Sequence, residues 1–308
     1  HHPVGRQILK ADQHALGAVD DEVAAGVFRV LLLLLEDGAI LGVGGGGLDF
    51  VFFLDVNRIA VQVAERGLDH NWHQPDFFLH SGDTIYADGP MQDEVEKDGE
   101  VIWKNTVLTD EKRKVAETLD EFRGQWKYNM MDEHVLAMNA AVPTFFQWDD
   151  HEVVNNWSSS RSLMEDDRYA EKSVHLLAAR AGRAFHEMAP IRYTPAEPGR
   201  VYRKISYGPM LDIFFLDLRS YRGPNTENLQ DELTDESRIL GREQIEWLQR
   251  ELTQSKATWK VIASDMPIGL VVGGGQEAIA NGDDGAAKGR ELEIAGLLRF
   301  IKAAEIRN

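Results

Sequence analysis

At 308 residues, 43% of them hydrophobic, the chain can bury a sizeable core in one large domain or two smaller ones. It contains no cysteine, which excludes disulfides and thiolate-bound zinc. A formal net charge of −18 argues against nucleic acid or an anionic membrane surface as a partner, and it also repels phosphate esters unless bound cations reverse the local field.

Residues 1–73 are biased in composition. They hold leucines at 31–35, the glycine run Gly44 to Gly47 and the apolar stretch Phe50-Val-Phe-Phe-Leu54. Gly42-Val-Gly-Gly-Gly-Gly47 follows an apolar run as a dinucleotide loop would. Its spacing departs from G-x-G-x-x-G, however, and no helical pattern follows at once. Val30 to Leu35 is far shorter than a membrane span and is followed by Glu36-Asp37. No signal-peptide pattern is seen. This region is set apart as an atypical N-terminal segment, and 74–308 is read as the main domain.

The first informative stretch is Pro75-Asp-Phe-Phe-Leu-His-Ser-Gly-Asp-Thr-Ile-Tyr-Ala-Asp-Gly-Pro90. The apolar run Phe77 to Leu79 reads as a buried strand that stops at Ser81-Gly82 and delivers Asp83, with Tyr86 three residues on. An α/β sheet presents ligand-binding carboxylates in this way, at the carboxyl end of a strand. An ordinary strand-to-loop turn would look the same. Residues 91–110 are acidic and polar with Trp103 isolated among them, which suggests a surface insertion or lid. Residues 111–140 read as helix, with Leu119, Phe122, Trp126, Met130 and Met131 as a core-facing stripe.

Val142-Pro-Thr-Phe-Phe-Gln-Trp-Asp-Asp-His-Glu152 repeats the grammar. A buried strand, Phe145 to Trp148, ends in four consecutive ionisable residues, which are costly unless a cation or hydrogen bonds satisfy them. Two carboxylates beside a histidine can hold a hard cation and supply a proton donor; a solvated acidic turn is the alternative. Asn155-Asn156 either ligate or cap. Residues 166–188 read as helix with Leu176, Leu177, Ala181 and Phe185 inward, and His175 and His186 are read as structural.

Further strands are expected over Val201 to Tyr207, Leu211 to Leu216 and Trp259 to Ala263, and helices over Gly241 to Leu252 and Glu291 to Ala304. The last of these turns Ile294, Leu297, Leu298 and Ile301 inward. Arg219, just past the second strand, either grips phosphate oxygens or pairs with Asp217 at the surface. Asp265 follows the third strand, and Gly273 to Lys288 is a Gly/Asp-rich loop without the ligand pattern of an EF-hand.

Taken together, His80-Ser-Gly-Asp-Thr-Ile-Tyr-Ala-Asp88 and Trp148-Asp-Asp-His-Glu-Val-Val-Asn-Asn156 resemble the two central motifs of PhoD-type alkaline phosphatases, which belong to the calcineurin-like metallophosphoesterases. Phe214 to Arg222, Leu240 to Leu248 and Thr258 to Pro267 resemble later motifs in the same order, so the likeness covers roughly 74–308. It implies an α/β fold of two mixed β-sheets packed as a sandwich with flanking helices. It implies metal-dependent hydrolysis of a small phosphate ester by a metal-bound hydroxide. By the same resemblance Asp83 bridges the metals, Tyr86 ligates as phenolate, Asp150 holds the second ion and His151 protonates the leaving group or orients the phosphate, with Arg219 as the substrate contact. Iron (Fe³⁺) and calcium are the implied cofactors, other divalent cations being possible occupants. Relatives are often exported. They also carry a first core strand ending in a further ligand, for which Asp49 and Asp55 are candidates, and a last strand with an Asp-x-His pair. No such strand is found before Asn308, so the resemblance implies a domain incomplete at its C-terminus. A truncated, inactive homologue that binds a cation or phosphate is the competing reading.

Overall fold

The computed structural model describes residues 75–193, 195, 197–269, 278–283 and 285–307, together with the backbone of 30–34 and 39–43. Asp49, Asp55, Gly44 to Gly47 and residues 273–277 and 284 of the Gly/Asp-rich loop lie outside the described residues.

Two mixed sheets form the centre. In the first, β1 (Val30–Leu34), β3 (Phe77–Ser81) and β6 (Thr144–Gln147) run parallel, and β2 (Ala39–Val43) is antiparallel to β1, in the order β2-β1-β3-β6. The sheet therefore takes in strands from the segment that composition sets apart. In the second, β7 (Arg203–Tyr207) pairs antiparallel with β8 (Leu211–Phe215), and β8 pairs parallel with β9 (Trp259–Ala263).

Alternation along each strand decides the layers, because successive side chains point to opposite faces. Phe77 and Leu79 of β3 meet Leu211, Ile213 and Phe215 of β8 and Ala263 of β9, with Phe145 of β6 packed against them. The ring centroids of Phe145 and Phe215 lie 6.2 Å apart and those of Phe77 and Tyr207 4.9 Å apart. This apolar layer joins the two sheets. The outer face of the first sheet is covered by α1 (Leu119–Asn129) and α3 (Val174–Met188), where Phe146 packs with Phe122, Trp126, Leu177 and Phe185. The outer face of the second is covered by α4 (Arg242–Gln254) and α5 (Glu291–Ala303), where Phe214 packs with Trp247, Leu248, Leu252, Ile294 and Leu297. The expected sandwich with flanking helices is the observed architecture.

Several boundaries differ from the sequence reading. The helix expected over 111–140 is two: α1 ends at Asn129, and Asp132 starts α2 (Glu133–Ala141) by accepting the backbone N–H groups of His134 and Val135. Met131 lies in the break and is exposed rather than core. The helix expected from 166 begins only at Val174, where the Ser173 hydroxyl accepts the N–H of Leu176. Leu176 and Leu298 face solvent. The acidic insertion is a hairpin, β4 (Glu94–Lys97) and β5 (Glu100–Lys104), exposed at every residue.

Phe185 is fully buried, with ring centroids 5.9 Å from Trp126 and 5.8 Å from Trp148. Phe185→Ala should therefore lower the unfolding free energy by about 3–5 kcal/mol. Urea denaturation checks this, and a midpoint unchanged from the parent would contradict the assigned layer.

Candidate metal centre

The carboxyl ends of β3, β6, β8 and β9 come together at one edge of the sandwich, and each carries a charged residue into it. β3 leads through Gly82 to Asp83. Gly82 has φ +102°, and a Cβ on it would lie 2.4 Å from that of Asp149, so only glycine lets the two motif loops pass at this distance. Asp83 itself is left-handed at φ +52°, a conformation uncommon outside glycine and enriched at functional sites.

Beyond β6, four consecutive residues turn to four different partners. Asp149 accepts the Nε of Arg219 at 2.5 Å. Asp150 accepts the N–H groups of His151 and Asn156. His151 Nδ1 lies 2.7 Å from Asp88 Oδ1, which commits that nitrogen and leaves Nε2 for other work. Glu152, 1% exposed, accepts backbone N–H groups from Asp83, Thr84 and Ile85 and from Asp149, at 2.6 to 3.3 Å.

Asp83, Asp150 and His151 each offer a ligand atom, and these atoms lie within 4.8 Å of one another. Asp83 Oδ2 accepts the Tyr86 hydroxyl at 3.1 Å, while its Oδ1 is buried with no hydrogen-bond partner among the described residues. An orphaned buried carboxylate oxygen beside a second carboxylate and an imidazole fits a cation, because an anion left so is costly. Asn156 Oδ1 on the Asp150 loop is also buried without a partner among the described residues. The charges agree with this reading. Burial, with the charges of Asp149, Glu152 and Asp150, pushes the Asp83 carboxyl far above the usual carboxylate range. Burial alone would lower His151, but its hydrogen bond to Asp88 and the charges of Asp150 and Asp83 prevail and hold it up to about 9. Tyr86 is raised by burial and by Asp83. Its ring centroid lies 4.3 Å from that of His151, and it is 47% exposed, at the solvent side.

The structure thus brings together Asp83, Tyr86, Asp150 and His151 from the residues singled out in the sequence. Arg219 sits elsewhere than expected. It is 0% exposed, bonded to Asp149, 3.6 Å from Asp150 Oδ1 and 3.8 Å from Asp265 Oδ2. A guanidinium enclosed by three acids has no face turned to an incoming phosphate; it balances charge behind the centre. Nor does it pair with Asp217 at the surface. Asp217 is buried, and its Oδ1 accepts the N–H groups of Arg219 and Ser220 and the indole N–H of Trp148. Asp265 belongs to the same buried cluster, where burial and Asp149 raise its carboxyl strongly.

A family model described as PhoD-like phosphatase matches residues 61–308. The chain belongs to the PhoD-like phosphatase family. Alkaline phosphatase D of Bacillus subtilis (strain 168) is 34% identical over a 202-residue alignment that covers 62% of this chain and 32% of that relative. The chain thus spans about a third of that curated relative's length. A solved structure of PhoD superposes with a TM-score of 0.60 at 23% identity, covering 91% of this chain and 50% of its own, a likeness of fold. The matched range 61–308 contains all the strand-end acids described above.

Glu152 and Asp88 were not assigned roles from the sequence, although both lie inside the quoted motifs. Removing the Glu152 carboxylate strands four N–H groups, so Glu152→Ala should cost about 3 kcal/mol or more in unfolding free energy. Chemical denaturation measures it, and a loss below about 0.5 kcal/mol, the level of an ordinary surface substitution, would deny the clamp.

Proposed function

We propose that this chain hydrolyses phosphate esters with the help of a cation held by Asp83, Asp150 and His151, with Tyr86 as a further oxygen donor. The observation that carries the proposal is the convergence of those three ligand atoms within 4.8 Å at the strand ends of a PhoD-like fold. The family match and the Bacillus relative, named for alkaline phosphatase activity, support the reaction class.

A cation bound there would supply positive charge for a phosphoryl oxygen and a nucleophile from water near neutral pH. The protein's own groups would do the rest. Asp83 and Asp150 anchor the charge that draws an anionic ester to a chain of net charge −18. His151, fixed through Nδ1 by Asp88, presents Nε2 to hold a ligand or to deliver a proton to the departing alkoxide. Tyr86 screens the imidazole from the solvent side and holds Asp83 through its hydroxyl. Arg219, from behind, pairs with Asp149 and helps hold the Asp150 carboxyl below its usual range against burial. Oxygen donors with one imidazole suit a hard or borderline cation. Iron and calcium, which the resemblance implies, fit that donor set.

The test is hydrolysis of 4-nitrophenyl phosphate and bis(4-nitrophenyl) phosphate by the purified chain, with its metal content measured in parallel. Activity should fall on chelation and return with added cation. Asp83→Asn should abolish it, and His151→Gln should lower kcat by about 10² to 10⁴. Undiminished turnover in Asp83→Asn would overturn the assignment. Cation binding without any hydrolysis would favour the binding-only reading.

A further inference from the structure

Asp150 is steered by residues beyond its own loop. Its Oδ2 is held by the backbone N–H of Asn156, a left-handed residue at φ +57°. The Asn156–Trp157 peptide is in turn gripped at both ends. Its N–H donates to Val154 C=O at 3.0 Å, and its C=O accepts the Nδ2 of Asn225 at 2.7 Å. Asn225 comes from the loop after β8, and its own Oδ1 accepts Nη2 of Arg222 at 2.9 Å.

The chemistry of these neighbours settles which way the Asn225 amide faces. A guanidinium can only donate and a backbone carbonyl can only accept, so the amide oxygen must face Arg222 and the nitrogen must face Asn156. A side chain of this length serves both only if it carries one acceptor and one donor. Aspartate lacks the donor, leucine lacks both, and serine is too short to span the two partners. Arg222 is 3% exposed, so the relay starts from a rigid point.

We propose that Asn225, oriented by Arg222, is a positioning residue that sets the Asp150 carboxylate through the left-handed turn at Asn156. The inference rests on the reading of Asp150 as a cation ligand. Residues that orient metal ligands from behind usually change affinity by about ten- to a hundred-fold when removed.

The test is a double-mutant cycle read by Mn²⁺ binding, followed by the loss of the free-ion electron paramagnetic resonance signal. Asn225→Leu should weaken Mn²⁺ binding about ten-fold in the parent chain. In the Asp150→Ala background the same change should alter affinity by less than about two-fold, because the ligand oxygens it positions are already gone. Asn225→Ser, run through the same cycle, guards against a folding defect peculiar to leucine, and thermal unfolding of each variant is measured alongside. Equal losses in both backgrounds would show that Asn225 acts on stability at large and would overturn the proposal. So would parent-like affinity in both Asn225 variants. A parent chain that binds no Mn²⁺, and behaves identically with Asp83→Asn, would remove the metal-centre reading itself and this inference with it.

Discussion

The site depends on one carboxylate that does not face it. Glu152 accepts N–H groups from three consecutive residues of the loop after β3 and one from the loop after β6. Without that acceptor, the loops would still meet farther out, through Ala87 N–H to His151 C=O and through Asp88, but nothing among the described residues would tie the segment of Asp83 itself to the turn that carries Asp150. With it, the loops form one body, and Gly82 lets their backbones approach closely enough for a single side chain to reach both. Burial raises the Glu152 carboxyl while the N–H donors work against that shift. A buried acid that stays useful in this way is a structural anchor placed among functional acids, and nothing in its residue type tells them apart.

Charge is the second constraint. Asp83, Asp149, Asp150, Glu152 and Asp265 crowd the strand ends, with Arg219 and the raised His151 imidazole among them. One guanidinium and one imidazolium cannot balance five largely buried acids. The protein could protonate some of them, and burial pushes Asp83, Glu152 and Asp265 that way. Bringing in a cation is the alternative, and it turns the same crowding into binding energy. Arg219 makes the division of labour clear. It keeps Asp150 low while Asp83 stays high, so the two candidate ligands differ in how strongly they call for an added positive charge.

Much of the fold was legible because its layers follow simple periods. Phe77, Leu79, Ile213 and Phe215 alternate with residues of the opposite face, and α4 carries its apolar stripe at helical spacing. Helix starts were less visible. Asp132 and Ser173 act through one side-chain oxygen each, and an apolar stripe such as Met130-Met131 runs on through a break it cannot report. The acids of the centre were legible as strand-end residues. Arg219 was misplaced because a one-dimensional pattern gives its position after a strand but not its depth. Its three acidic neighbours come from the ends of two other strands, and only packing reveals them.

The run Asp149-Asp150-His151-Glu152 shows why adjacency is a poor guide to role. The chain here leaves its strand in a tight turn, with the N–H groups of Val153 and Val154 both returning to Asp150 C=O, so successive side chains diverge rather than share a face. Each then meets a different segment. Asp149 reaches Arg219 after β8, and Asp150 reaches Asn156 farther along its own loop. His151 reaches Asp88, and Glu152 reaches the backbone after Gly82. Four ionisable residues in a row would be intolerable if they pointed the same way. They are compatible because each has its own counter-group, and because Asp150 and His151 turn toward Asp83, where the arrangement still needs a charge from outside. What a sequence shows as an acidic cluster is, in space, one candidate binding centre and the two buried supports that hold it open.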